Sequence, residues 1–187
     1  YGSGQVPYVE GQSLNGVGTY EVSKSATDLI ARSFYSNYDV PVVVTRCSNL
    51  YGGGDMNLSR VIPNNVNKIL NGERPMIWKG SEKSTREFLY IDDAVDAYLS
   101  LVKNIDTTKG EAYNIGSGEI FTIEELLNKL LDKMDSNLQI EYIEKDFPEI
   151  SHQYLDSTKI KEHTGWEPET SLSTGLTKSI ESYKEIL

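Results

Sequence analysis

Read for its pattern of apolar and polar positions, the chain divides into helices and short strands. From Thr19 onward Ala26, Leu29, Ile30, Ser33 and Phe34 fall on one face at helical spacing. Thr19 stands where an N-cap would. Pro41-Val42-Val43-Val44-Thr45-Arg46 follows, a β-branched run without alternation. Such a run suits a parallel strand covered on both faces. A helix feeding a buried strand is half of a βαβ repeat, so the predicted class is α/β. Tyr51-Gly52-Gly53-Gly54-Asp55 reads as a turn, and Val61 to Leu70 as a helix stopping near Asn71-Gly72. Glu87 to Ile91 reads as a strand, with Asp92 capping a helix through Ala97 to Val102. Ala112 to Ile115 is the next strand, before Gly116-Ser117-Gly118. A helix then opens at Thr122, whose spacing to Glu125 is that of a capping box. Gln139 to Ile143 suits a strand, and the last helix runs from about Ser173 to Tyr183. The opening stretch, Tyr1 to Gly18, is rich in Gly, Pro and polar residues and reads as loop. No internal repeat, low-complexity segment or clear linker interrupts this order.

Composition narrows the picture. A chain of 187 residues with 38% hydrophobic and 25% charged residues is ordinary for one compact globular unit. Val42-Val43-Val44 is far too short to span a bilayer, and no cationic segment followed by an apolar one opens the chain. Cys47 is the one cysteine, which argues against a disulfide scaffold. With two His beside it, a zinc site of the usual ligand types is not expected. A net charge of −10 without a basic cluster would repel a phosphate backbone, so nucleic acid is not an expected partner. Nor is a membrane, and the expected address is the cytoplasm. The chain opens on Tyr1-Gly2-Ser3-Gly4, which reads like the middle of a domain.

One pair of residues suggests chemistry. Tyr20 and Lys24 are four apart and share a helix face. A free phenol, with a pKa near 10, is a poor base at neutral pH. A neighbouring ammonium favours the phenolate and makes the Tyr a usable acid or base. Yet about one such spacing is expected by chance in a chain with 12 Tyr, so the pair gains meaning from what surrounds it.

That context is an ordered series of blocks. Pro7-Tyr8-x-Glu10 precedes the pair, and Thr45-Arg46-x-x-Asn49-Leu50-Tyr51-Gly52 follows it. Then come Arg86-Glu87-Phe88-Leu89-Tyr90-Ile91-Asp92-Asp93, Tyr113-Asn114-Ile115-Gly116 and Gly165-Trp166-Glu167-Pro168. Across essentially its whole length the chain resembles the nucleotide-sugar branch of the extended short-chain dehydrogenase/reductase family. His152-Gln153-Tyr154-Leu155-Asp156, with Tyr20-x-Val22-Ser23-Lys24-Ser25, is most similar to CDP-glucose 4,6-dehydratases. The resemblance implies the last part of a Rossmann-type parallel sheet plus a small α/β substrate-binding lobe. Residues 1–54, with a late strand near 112–116, would be the remnant of the dinucleotide-binding domain, and 55–187 mainly the lobe.

The same resemblance implies roles. Tyr20 matches the Tyr that takes a proton from the sugar 4-hydroxyl as hydride leaves C4 for NAD. Lys24 matches the partner that binds the nicotinamide ribose and tunes that Tyr. Asn49 matches a residue near the sugar diphosphate, and Arg86 an arginine on the pyrophosphate, whose fork of donors suits phosphate oxygens. Asn57, Leu58 and Arg60 lie where relatives hold the nucleotide, and His152 near a phosphate-facing segment. Each position also has a purely structural alternative. Asn49 could cap a strand end or steady the Gly turn. Arg86 could pair with Asp92 or Asp93 on the surface. Arg60 and His152 could be solvated or packed, Asp92 and Asp93 could be caps, and Trp166 could be core. Relatives usually carry Pro where Gly53 stands.

The sequence also lacks something the family uses. A dinucleotide fingerprint needs a strand, closely spaced glycines and a helix N-terminus aimed at the pyrophosphate. The clusters at Gly2, Gly52 and Gly116 lack the spacing or the flanking elements. Family members carry that fingerprint on a preceding stretch of roughly 120 residues, together with a Ser or Thr just before the position of Tyr1. The reading is therefore of an NAD-dependent enzyme seen without its main cofactor site, and inactive alone. It would act on a nucleotide-diphosphate sugar, as a homo-oligomer. A 4,6-dehydratase, a 4-epimerase and a noncatalytic nucleotide-sugar-binding module remain open at this point.

Overall fold

The computed structural model describes residues 1–2, 4–145 and 150–186; Ser3, within the predicted opening loop, lies outside them. The elements in order are α1 (Thr19–Tyr38), β1 (Val44–Cys47), β2 (Asn49–Tyr51), α2 (Val61–Leu70), β3 (Met76–Trp78) and β4 (Thr85–Tyr90). They continue with α3 (Ile91–Lys103), α4 (Ile105–Thr108), β5 (Ala112–Ile115), β6 (Ile120–Thr122), α5 (Ile123–Lys133) and β7 (Glu141–Ile143). The last are β8 (His152–Gln153), α6 (Thr158–Thr164) and α7 (Leu172–Ile186).

Parallel pairing dominates. β1 pairs parallel with β5, β2 with the second half of β4, and β3 with β7. The first half of β4 is held between antiparallel β6 and parallel β8. Two cores result. In the first, α2, α5 and α7 cover the face of β2 and β4 that carries Tyr51, Phe88 and Tyr90. In the second, α3 and α6 pack with Leu89 on the other face of β4 and with Tyr113 and Ile115 on β5. Alternation along β4 thus feeds both cores, as the period of two requires.

The helices form for legible reasons. In α5, Ile123, Leu126, Leu127, Leu130 and Leu131 are buried at spacings of three and four. Fully burying one such side chain contributes about 1.5–3 kcal/mol. The predicted capping box is present: the Glu125 N–H donates to Thr122 Oγ1 at 3.1 Å, and the Thr122 N–H to Glu125 Oε2 at 2.8 Å.

Several expectations need correction. Thr19 is the first helical residue of α1; the N-cap is Gly18, whose N–H donates to the Glu21 carboxylate reaching back from the first turn. Likewise Tyr90 is the N-cap of α3, and Asp92 sits inside the first turn, where its charge suits the helix dipole. The strand expected over Pro41 to Arg46 begins at Val44, and its residues are half-buried, not covered on both faces. It has one neighbour, β5, among the described residues. The expected apolar face of α1 is also largely open, with Leu29, Ile30 and Phe34 exposed. Asp28 alone is buried on that helix, and none of the described residues covers its apolar side. The strand expected from Gln139 starts at Glu141. Strands β2, β3, β6 and β8 and helix α6 had no expectation attached to them.

Candidate functional site

Helix α1 delivers Tyr20 and Lys24 to the surface. The Lys24 ammonium lies 5.7 Å from the centroid of the Tyr20 ring, and the Tyr is 72% exposed. Four-residue spacing on a helix brings the two together without help from elsewhere in the fold. The arrangement offers an external ligand a phenol and a cation side by side.

What holds this helix is a polar network. Asp28 Oδ2 accepts a hydrogen bond from Arg46 Nε on β1 at 2.7 Å, with side chains only 7% and 11% exposed. The same guanidinium donates to the Tyr1 hydroxyl at 2.8 Å and to the Glu10 carbonyl at 3.1 Å. It also stacks over the Tyr1 ring at 5.1 Å. Tyr1 in turn donates to Asn114 Oδ1 on β5, and Asn114 donates from Nδ2 to the Tyr8 carbonyl and from its backbone N–H to Glu10 Oε1, each at 2.8 Å. Burial pushes the Tyr1 phenol up, against the pull of Arg46. Burial also works against the Arg46 charge, but the hydrogen bonds with Asp28 and Tyr1 more than offset it and hold the guanidinium above its ordinary value. Sequence reasoning quoted Arg46 within a motif yet gave it no role; a cation beside a run of Val was the available signal.

The second group gathers where β4 begins. Arg86 is 8% exposed and donates to the backbone carbonyls of Thr85 at 2.9 Å and Ser151 at 3.5 Å. This is not the surface ion pair with Asp92 or Asp93 weighed above. Asp93 is buried and accepts instead from the Glu169 and Thr170 backbone and the Thr170 hydroxyl, while Asp92 lies 3.9 Å from Lys178. His152 stands opposite Thr85, not Arg86: strands β4 and β8 pair Thr85 with His152 and Arg86 with Gln153, and Thr85 Oγ1 and His152 Nδ1 are 2.8 Å apart, so His152 lies on the face of Thr85. Asn49 joins Arg86 by register. It stands opposite Phe88, so it projects from the same face of the sheet as Phe88 and Arg86. Its amide donates to the Glu87 carbonyl at 3.0 Å.

Glu87 points to the other face. It is 1% exposed and accepts from the N–H groups of Gly118 at 2.7 Å and Leu155 at 3.0 Å. Burial pushes its carboxyl up, opposed by those backbone donors and Ser117. The carboxylate also lies so close to Gly116 that a Cβ there would meet its oxygen at 2.4 Å. Glu87 thereby ties the β5–β6 turn and the segment after β8 to one strand. A cleft of about 690 Å³ opens beside that turn, lined among others by Gly116, Ser157, Lys161 and Trp166, and none of the expected site residues lines it. Trp166 is buried as expected, donating from Nε1 to the Asp93 carbonyl at 3.2 Å.

Asn57, Leu58 and Arg60 form a third group, in the loop between β2 and α2. Asn57 Oδ1 accepts from the Ser59 N–H at 3.0 Å and hydroxyl at 2.7 Å, Arg60 pairs with Asp55 at 2.9 Å, and Leu58 is exposed. These bonds stay within the loop and shape it. Its other anchor is Tyr183 on α7, which donates to the carbonyls of Gly52 at 3.2 Å and Asp55 at 3.0 Å. Burial pushes that phenol up to about 12. Gly53 here has a steric reason: a Cβ would meet Ser182 Oγ at 2.4 Å and its Cβ at 2.5 Å.

With this geometry in view, the comparison with known proteins is direct. The family model described as GDP-mannose 4,6 dehydratase matches residues 1–179. The chain belongs to this family. It is therefore a member of the short-chain dehydrogenase/reductase nucleotide-sugar dehydratases and epimerases. It is 32% identical over 174 residues to the dTDP-glucose 4,6-dehydratase of Escherichia coli, covering 88% of this chain and 46% of that protein. The crystal structure of dTDP-glucose 4,6-dehydratase from Bacillus anthracis in complex with NAD superposes with a TM-score of 0.87 at 27% identity. It covers 95% of this chain and 56% of its own. UDP-glucose 4-epimerase from Thermotoga maritima, with UDP-glucose, gives 0.85 at 27%, covering 92% and 55%. The chain spans about half the length of the curated relatives it matches. Among the described residues, no helix is long and apolar enough to cross a membrane.

Proposed function

We propose that this chain is the C-terminal part of a longer NAD-dependent nucleotide-sugar 4,6-dehydratase. Residues 1–54 with β5 would belong to the dinucleotide-binding domain, and most of the remainder to the lobe that holds the sugar nucleotide. The observation that carries the reading is the exposed Tyr20–Lys24 pair on α1, set within a family whose relatives include dTDP-glucose 4,6-dehydratases.

Tyr20 is the acid/base at the sugar 4-hydroxyl, and Lys24 is the cation that stands beside it. Bound NAD would supply the hydride acceptor for C4. The residues present fit one end of that cofactor: the Lys24 ammonium stands open on the Tyr20 side of α1, where ribose hydroxyls could reach it. The pyrophosphate would be held by a glycine-rich turn that the sequence of this chain does not contain. Arg86 and Asn49, on one sheet face, bind the substrate diphosphate, and His152, held on the adjacent strand by Thr85, lies at the phosphate-facing segment. The loop carrying Asn57, Leu58 and Arg60 faces the nucleoside. The cytoplasm is the proposed address and a homo-oligomer the proposed state. A 4-epimerase is the second reading, favoured by the likeness to UDP-glucose 4-epimerase at the same identity as the dehydratase structure.

The test uses the longer protein with CDP-glucose, dTDP-glucose and UDP-glucose as probes. A dehydratase releases a 4-keto-6-deoxy sugar, whereas an epimerase returns the C4 epimer. Tyr20→Phe is expected to lower turnover by about 10²- to 10⁴-fold with little change in KM. Near-normal turnover in that variant would remove Tyr20 from the chemistry and this reading with it.

A further inference from the structure

Helix α1 carries a stripe of polar groups one turn apart: Tyr20, Lys24 and Asp28 occupy i, i+4 and i+8. The last of them is unlike its neighbours. Asp28 is the one buried residue of α1, and its Oδ2 is fixed by Arg46 Nε at 2.7 Å. Its other oxygen, Oδ1, is buried and has no hydrogen-bond partner. Leaving a carboxylate oxygen unpartnered out of water is costly, so an acceptor left empty in this way calls for a donor within reach. Lys24 is one turn away on the same stripe, its ammonium poised over the Tyr20 ring.

We propose that Asp28, clamped by Arg46, is a positioning residue for Lys24, its Oδ1 accepting a hydrogen bond from the Lys24 ammonium in the working enzyme. This rests on the role of Tyr20 and Lys24 given under the proposed function. A free lysine side chain has many rotamers of similar energy. Without a fixed acceptor, Lys24 would sample many positions and act on the phenol only part of the time. Arg46 matters because it compensates the Asp28 charge. A bare carboxylate beside the ammonium would cancel its positive field at the reacting sugar, whereas a carboxylate already paired with a guanidinium supplies geometry and little net charge. The clamp reaches further, since Arg46 is itself held by Tyr1 and the Glu10 carbonyl. The orientation of the catalytic stripe is thus set from β1.

The test is a double-mutant cycle in the longer protein, with dTDP-glucose and CDP-glucose as probes. Asp28→Asn is expected to lower kcat about 10-fold or more while KM stays within about threefold. In a Lys24→Met background the same change is expected to do almost nothing, because the residue through which Asp28 acts is gone. Asp28→Asn combined with Arg46→Gln removes both buried charges together and serves if the single variant folds poorly. A second readout needs no turnover: the Lys24 ammonium should give a protected nitrogen resonance in the unaltered protein that is lost in Asp28→Asn. Equal losses with and without Lys24 would make Asp28 a helix anchor only and overturn the proposal, as would an unchanged kcat. Full activity in Tyr20→Phe would instead sink the functional reading on which it rests.

Discussion

At the scale of single residues, the same side-chain type takes opposite roles according to what surrounds it. Arg60 is 58% exposed beside Asp55 and shapes a loop, whereas Arg46 is nearly enclosed and ties α1 and the opening segment to β1. Exposed pairs of the first kind contribute about 0–1 kcal/mol; removing one partner of the second leaves a buried charge, at a cost of about 3–5 kcal/mol. Arg86 falls between, enclosed yet bonded to carbonyls, with Asn49 on the same face and His152 opposite the preceding residue, Thr85. If these three bind a diphosphate, the fork of the guanidinium matters beyond its charge. Arg86→Lys in the longer protein should weaken binding of CDP-glucose or dTDP-glucose, whichever is the substrate, by about 10-fold, with an unchanged thermal midpoint as control. Calorimetry reads the affinity, and an equal affinity for the variant would take Arg86 off the phosphate.

At the scale of elements, the loop from Gly52 to Arg60 is fixed by α7 more than by its own sequence. Tyr183 bonds two of its carbonyls, and Ser182 fills the space in which a Cβ at Gly53 would stand. That contact gives the glycine at position 53 a steric reason. Gly53→Ala should therefore destabilise the protein by about 1–3 kcal/mol, the usual cost of forcing extra volume into a packed site. Ser182→Gly should relieve most of it in the double variant. Urea unfolding measures both, and a Gly53→Ala protein as stable as the original would show that α7 yields freely.

At the scale of the whole molecule, the chain presents an incomplete α/β layer. Among the described residues strand β1 is paired on one side only, while α1 exposes Val22, Leu29, Ile30 and Phe34. Helix α3 exposes Ile91, Val95, Tyr98, Leu99 and Val102, which recur at helical spacing on one face. An open strand edge is a template for pairing with another chain, and apolar faces beside it gain about 25 cal/mol for each Å² removed from water. Expressed alone, the 187 residues should self-associate through this region or lose order in the first forty or so. Light scattering that shows a clean monomer, with Val44 to Cys47 ordered at an open edge, would contradict this.

What the sequence determined by itself is whatever rests on local spacing. The leucines of α5, its Thr122–Glu125 cap, the extent of α2 and the meeting of Tyr20 with Lys24 follow from 3.6 residues per turn, which any reader can count. The caps of α1 and α3 were misplaced by a residue or two because several candidates stand in a row and backbone geometry chooses among them. Only the tertiary structure decided the rest. Strands of two or three residues such as β2, β6 and β8 are too short to show a period, and exist because a distant strand supplies their hydrogen bonds. The same pairings brought His152 to Thr85 and turned Asn49 to the face of Arg86. The bond from Asp28 to Arg46 needed α1 laid against β1, since burial gives a charge its partner only once the chain around it has closed.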